Sequence, residues 1–349
     1  MSSLRKRGES VRKFIIEQLD RHPTDIAKVA SEHFKISRQA VNKHISRLVT
    51  EKAVTKSGST RNLLYKLQPL VIADKHFFIT PSLSEDDVWR KDVRPLLEPM
   101  PDNVMDIWHY GFTEMFNNAI DHSDSKDISL RIKKTAASTE VMILDYGIGI
   151  FKKIQSRLDL PDERQAVLEL AKGKFTTDPA NHSGEGIFFA SRMFDDFMIL
   201  SGDVFFSHKR GKKEGAILES EGLPTSTAVV MKLDNHTSRK MKKIFDQYTS
   251  GDDYGFNKTI VPVTLAQYGT DKLISRSQAK RLLAGVDKFK VVAVDFKGVD
   301  SIGQAFADEI FRVFPNAHPQ IQVMEVNTNT EVKNMILRAR ALSEATKDK

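Results

Sequence analysis

Phe112-Thr113-Glu114-Met115-Phe116-Asn117-Asn118-Ala119-Ile120-Asp121-His122-Ser123 closes a predicted helix, Asp102 to Ser123, that follows Pro99 and Pro101. Glu114 and Asn118 are four apart, so a helix puts them on one face, and Asp121, seven after Glu114, faces the same side. Downstream, Ile128–Lys133 and Val141–Leu144 read as strands, the second running into Asp145-Tyr146-Gly147-Ile148-Gly149-Ile150. His182-Ser183-Gly184-Glu185-Gly186-Ile187 then opens another predicted helix. Each fragment alone recurs by chance. Their order, helix, then strand end, then glycine turn before a helix, carries the information.

In that order the fragments resemble the GHKL ATP-binding fold shared by gyrase, Hsp90, histidine kinases and MutL, over about residues 101–235. Ser226-Thr227-Ala228-Val229-Val230-Met231-Lys232-Leu233 is similar to the family's closing Gly-Thr strand, with Ser226 in place of the glycine. The resemblance implies ATP and Mg²⁺ as ligands. Asn118 would offer its amide oxygen to a Mg²⁺ held mainly by the triphosphate and water. Asp145 would accept the adenine amino proton, Gly147 and Gly149 would let the backbone approach the base, and Gly184 and Gly186 would present N–H groups to the phosphates. His122 and Thr227 match further pocket positions, and residues 151–183 would form a lid with a helical stretch at Gln165–Lys172. Glu114 stands where hydrolysing and serine-kinase members carry a general base for water or a hydroxyl. Histidine kinases usually lack that Glu, and no phosphoacceptor helix pair precedes the motifs, which disfavours two-component signalling.

The basic excess lies upstream. Residues 1–67 hold 15 Lys/Arg against 6 Asp/Glu, leaving 38 against 40 for residues 68–349, although the whole chain is +7. Such asymmetry points to a polyanion-binding module on a near-neutral body. Ser10–His22 and a short helix from Thr24 precede Ile36–Leu48, where Ser37 is the expected cap and Val41, Ile45 and Leu48 the inner stripe. Arg38, Gln39, Asn42, Lys43 and Arg47 fall on the outer face. Ala53–Lys56 and Leu63–Leu67 flank a basic turn with Lys56 and Arg61 at its edges. This order resembles a winged helix-turn-helix, which implies double-stranded DNA as partner, the third helix entering the major groove and the wing touching phosphate.

Beyond 236 the chain reads as a linker to residue 255 and then as alternating strands and helices. Leu273–Lys280 with Val294–Glu309 resembles a STAS-like family of unknown function, distantly similar to anti-sigma factor antagonists, over about residues 256–340. Those antagonists are phosphorylated on a serine in the turn that opens the corresponding helix. Here the turn is Gly303-Gln304-Ala305-Phe306, without a hydroxyl, and Ser301 lies two residues too early. The domain therefore reads as a fused interaction module.

The expected architecture is multidomain α+β and α/β: a winged helix (1–68), a connector with a helix (69–100), a Bergerat-type GHKL α/β sandwich (101–236), a linker (237–255) and a small STAS-like α/β domain (256–349). The expected function is an ATP-responsive DNA-binding regulator with slow ATPase activity. An anti-sigma-type protein Ser/Thr kinase and an ATP-binding scaffold without turnover stay open as alternatives. Half-site symmetry on DNA suggests a homodimer, and the STAS-like module a regulatory protein partner. The absence of cysteine excludes thiolate metal sites, cysteine nucleophiles and disulfides. No uncharged apolar run approaches the ~20 residues of a spanning helix, and charges interrupt the basic amino terminus where a signal peptide needs an apolar stretch, so the expected location is cytoplasmic, away from the membrane.

Overall fold

The computed structural model describes residues 3–59, 63–174, 184–209, 226–249, 255–267 and 272–347. Three helices open the chain, α1 (Ser3–Gln18), α2 (Ile26–Phe34) and α3 (Arg38–Thr50), and an antiparallel ribbon of β1 (Val54–Ser57) and β2 (Leu64–Leu67) follows. Val11, Ile15, Ile26, Ala30, Val41, Ile45, Leu48 and Val54 form a core of their own. Ser37 caps α3 by accepting the Ala40 N–H at 3.2 Å. The first helix, expected over Ser10–His22, starts earlier and stops earlier. Leu, Arg and Lys upstream of Ser10 are good helix formers without needing burial, and after Gln18 the chain turns, with Leu19 buried in the same core.

The body begins with β3 (Val71–Phe78). Next come α4 (Glu85–Val88) and α5 (Arg94–Leu97), joined through a π-helical turn at Trp89–Val93, and then α6 (Asp102–His122), β4 (Asp127–Lys134) and β5 (Ser138–Asp145). They are followed by α7 (Ile150–Leu158), α8 (Glu163–Lys172), α9 (Gly186–Met193), β6 (Asp196–Ser201), β7 (Val204–Lys209), β8 (Thr227–Asp234) and α10 (Met241–Tyr248). The six strands make one antiparallel sheet in the order β3-β4-β5-β8-β6-β7. Period-two alternation decides its faces: β4 buries Ile128, Leu130 and Ile132 in the core shared with Trp108, Phe112 and Phe116 of α6, and leaves Arg131 and Lys133 exposed on the other side.

Two stretches expected as connections are built into this body. Within 69–100, β3 is an outer strand of the sheet, with Phe77 edge-on to Phe116 at 5.6 Å and Lys75 paired with Asp92 at 2.7 Å. Within 237–255, α10 buries Ile244 and Tyr248, and its Phe245 ring lies 4.5 Å from that of Phe189.

The last part holds a three-stranded parallel sheet, β9 (Lys258–Pro262), β10 (Val291–Asp295) and β11 (Gln322–Val326), with β10 in the middle. Around it lie α11 (Arg276–Leu283), α12 (Gln304–Asp308), α13 (Phe314–Ala317) and α14 (Thr330–Lys347), with a second π-helical turn at Glu309–Val313. β9 ends at Pro262, and a 3₁₀ turn, Val263–Ala266, carries on. This part shares one continuous core with the body, from Val88 to Ala339. Phe256 joins the two, its ring 4.6 Å from Phe188 and 5.2 Å from Phe289.

Lys172 is the polar counterpart of that joint. It is fully buried at the end of α8, and its Nζ donates to Glu169 at 2.6 Å and to the carbonyls of Ala284 and Arg281 at 2.6 and 3.2 Å. Its own carbonyl accepts the Thr259 hydroxyl at 2.6 Å. Burial holds the ammonium below its ordinary pKa and Glu169 pulls it partly back. A buried charge with each proton spoken for fixes α8 to the turn after α11. Among the described residues no helix is long and apolar enough to cross a membrane.

Candidate functional site

α6 organises the predicted site residues. At its carboxy-terminal end the loop 145–150 folds back on it. Ile148 N–H donates to the Ser123 carbonyl at 3.0 Å, and a Cβ on Gly147 would fall 1.8 Å from that same oxygen. Glycine is thus required at 147 by contact with the protein's own backbone, a reason distinct from the approach of a base expected from the sequence. Gly149 adopts φ +88 at the start of α7, where a Cβ would meet the Ser201 hydroxyl at 2.7 Å. Lys153, one turn into α7, donates to the His122 carbonyl at 2.7 Å and to Asp124 at 3.0 Å, a cation at the negative end of α6.

Asp145 ends β5 directly opposite Thr227, the first residue of β8. It is 5% exposed. Burial pushes its carboxyl up to about 6, while the Gly147 N–H at 3.0 Å and the backbone N–H and hydroxyl of Thr227 work in the other direction. Thr227 Oγ1 also accepts the Ile150 N–H at 3.0 Å, so one residue holds both the carboxylate and the start of α7.

Because the folded value lies above the unfolded one, the protonated acid stabilises the fold below pH ~4, and that stability is lost as pH rises through about 6. Urea melts are expected to show wild type losing on the order of 3 kcal/mol relative to Asp145→Asn between pH 4 and 7. A flat difference across that range would place the carboxyl in contact with water.

About 13 Å back along α6, nine residues at 1.5 Å each, Glu114 meets the start of α9. A Cβ on Gly186 would lie 2.0 Å from Glu114 Oε2, so the carboxylate presses on the first turn of that helix. Gly184, at φ +72, makes the turn just before it. Two neighbours went unread in the sequence. Tyr110, one turn before Glu114, has its hydroxyl pKa raised by burial and by the charges of Glu114 and Glu185, and burial raises Glu185 itself against the pull of Lys174. The i, i+4 spacing of Tyr110 and Glu114, and the place of Glu185 between two glycines, were the available signals. Asn118 lies one turn beyond Glu114 and is half-buried. His182 and Ser183, with the lid stretch 175–183, lie outside the described residues. Of the remaining lid, α7 and α8 are packed helices.

The other predicted group is separate. Arg38, Gln39, Asn42, Lys43 and Arg47 are all exposed on α3, and Lys56 is exposed on β1. Arg47 is tied to Glu51 at 2.7 Å. Partial burial, with Arg12 and Arg47 close by, lowers the His44 pKa, which marks this side as electropositive. Arg61 lies outside the described residues.

In the last part, the turn at Gly303 is closed off. Gly303 N–H donates to the Leu273 carbonyl at 2.8 Å, and a Cβ there would sit 2.7 Å from the Ile274 Cα. The family described as STAS-like domain of unknown function (DUF4325) matches residues 278–335, so the carboxy-terminal part contains a STAS-like domain, and β9 lies before the matched stretch. No curated protein matches the chain.

Proposed function

We propose that the chain is an ATP-responsive DNA-binding regulator. Residues 1–68 act as a winged helix that reads double-stranded DNA, residues 101–236 as a GHKL-type domain that binds Mg-ATP and hydrolyses it slowly, and the STAS-like domain as a brake or relay on that cycle. One juxtaposition carries the reading: Glu114 against the glycine turn of α9, with the Asp145–Thr227 pair at the far end of the same helix. A nucleotide laid along α6 would set its base at Asp145 and its phosphates at Gly184 and Gly186, within reach of Glu114. For a Mg²⁺ that keeps most of its water, the half-buried Asn118 amide one turn beyond Glu114 would offer one oxygen, the phosphates and water the rest. The bound cation would neutralise phosphate charge.

Three contacts support coupling between the parts. Lys232 on β8, the strand that begins with Thr227, pairs with Asp20 just after α1 at 3.0 Å. Ala137, in the turn between β4 and β5, is buried in the amino-terminal core. Lys172 binds α8 to the STAS-like part. Duplex DNA titrated into Glu114→Ala protein is therefore expected to bind with affinities about 5–150-fold apart with and without saturating Mg-ATP. Equal affinities would sever nucleotide from DNA. A second reading, a protein Ser/Thr kinase, is favoured by Glu114, since a base there could activate a hydroxyl as well as water, and γ-labelled ATP separates the two: label on protein marks a kinase, free phosphate an ATPase.

A further inference from the structure

β3 is an outer strand of the six-stranded sheet and pairs with β4 alone among the described strands. An eight-residue edge with unfilled backbone groups is a template for another strand, and proteins usually block such edges with inward charges, proline or a bulge. β3 carries no proline or bulge, and its one inward charge is neutralised within the chain. Lys75, the cation in mid-strand, is turned to the inner face and held by Asp92 at 2.7 Å. The outer-facing residues Ile72, Asp74, His76 and Phe78 are all exposed, Ile72 at 64% and Phe78 at 69%.

The hydrogen-bond phase sets what can pair. Ile79 N–H donates to the Lys126 carbonyl, so the odd-numbered residues of β3 form the bonded pairs with β4, and Ile72, Asp74, His76 and Phe78 direct their N–H and C=O groups outward. A second β3 running antiparallel about a two-fold axis at Lys75 would bond through these same residues. That register sets Ile72 against Phe78 and Asp74 against His76, twice over. Each exposed apolar side chain meets an apolar partner, while Asp74 and His76, opposed across the axis, are already held on β4, Asp74 by Arg131 and His76 by Asp127 and Ser129.

We infer that the chain forms a homodimer through β3, its two sheets joined into one of twelve strands across Lys75. The dimer rests on the strand alone and stands whatever the chain does with ATP or DNA. The axis is perpendicular to the sheet, so both amino-terminal modules lie on the same face, and the two Val71 residues stand ~27 Å apart along the strands, eight residues at ~3.4 Å each.

The absence of cysteine makes the register directly testable. Full-length Ile72→Cys and Phe78→Cys proteins, mixed and mildly oxidised, are expected to give a disulfide-linked dimer, because opposed residues in a bonded pair have Cα atoms ~5.5 Å apart, inside the range a disulfide spans. Neither protein alone should cross-link. Sedimentation of wild type is expected to show a dimer that Ile72→Lys/Phe78→Lys converts to monomer. A monomeric wild type, a dimer that survives the lysines, or cross-linking of either single variant by itself overturns the proposal. None of these outcomes depends on DNA binding, so failure of the DNA reading is scored separately, by gel shift on the same proteins.

Discussion

Glu114→Ala protein is expected to keep its affinity for Mg-ATP and to lose turnover by about 10²–10⁴-fold, the usual contribution of a positioned general base. The asymmetry between binding and rate follows from when the carboxylate acts. As a general base it would touch the attacking water before reaction, a weak interaction easily replaced by solvent, and would accept the water's proton only during reaction. The structure sharpens this expectation because Glu114 Oε2 lies against Gly186, at the start of the helix that would face the phosphates. Asn118→Ala should instead weaken the dependence of binding on Mg²⁺. Hydrolysis by Glu114→Ala at the wild-type rate would mean that the base lies elsewhere.

Removing residues 1–68 is expected to abolish binding to duplex DNA, since the remaining chain has slightly more carboxylates than cations. The truncated body should stay folded. Its core is separate from the amino-terminal one, and the losses are the cover over Ala137 and the Lys232–Asp20 pair, which at half exposure contributes no more than about 1 kcal/mol. In the intact protein, affinity should fall steeply with salt, in proportion to the phosphates neutralised. Arg38→Ala and Asn42→Ala should alter sequence preference, whereas Lys56→Ala should weaken all sequences alike. Gel shifts across a salt series decide the matter, and a truncated protein that shifts DNA as well as the full chain would refute the division of labour.

What could be read in advance depended on how local each signal was. α6, β4, β5 and α3 were legible to within a few residues, because their apolar periods are strong and their ends are marked by Ser37, Pro101 or the glycines after Asp145. β3 was not, since Asp74 and Lys75 interrupt its apolar run and only the partner strand reveals that one charge faces out and the other in. α10 reads as polar because Lys242, Lys243, Asp246 and Gln247 make up half of its eight residues. Spatial facts were out of reach: that Ser123 claims the space beside Gly147, that Glu114 meets Gly186 across 72 positions of chain, and that Lys172 ends between the carbonyls of a distant turn. The STAS-like domain was legible from the stretch that the family match covers.

The division into two cores also orders events during synthesis. Every buried side chain of the amino-terminal module except Ala137 comes from residues 11–67, whereas the body's core draws on Val332, Ile336 and Ala339 in the last helix. A chain made from its amino terminus can therefore finish the basic module while the sheet behind it still lacks half its partners. At ~5–20 residues per second, the roughly 280 residues that follow take about 15–60 s. For that interval the growing polypeptide holds a complete positively charged unit with no finished body against it, and the arrival of Ala137 and Lys232 is the first moment at which the two halves of the molecule can touch.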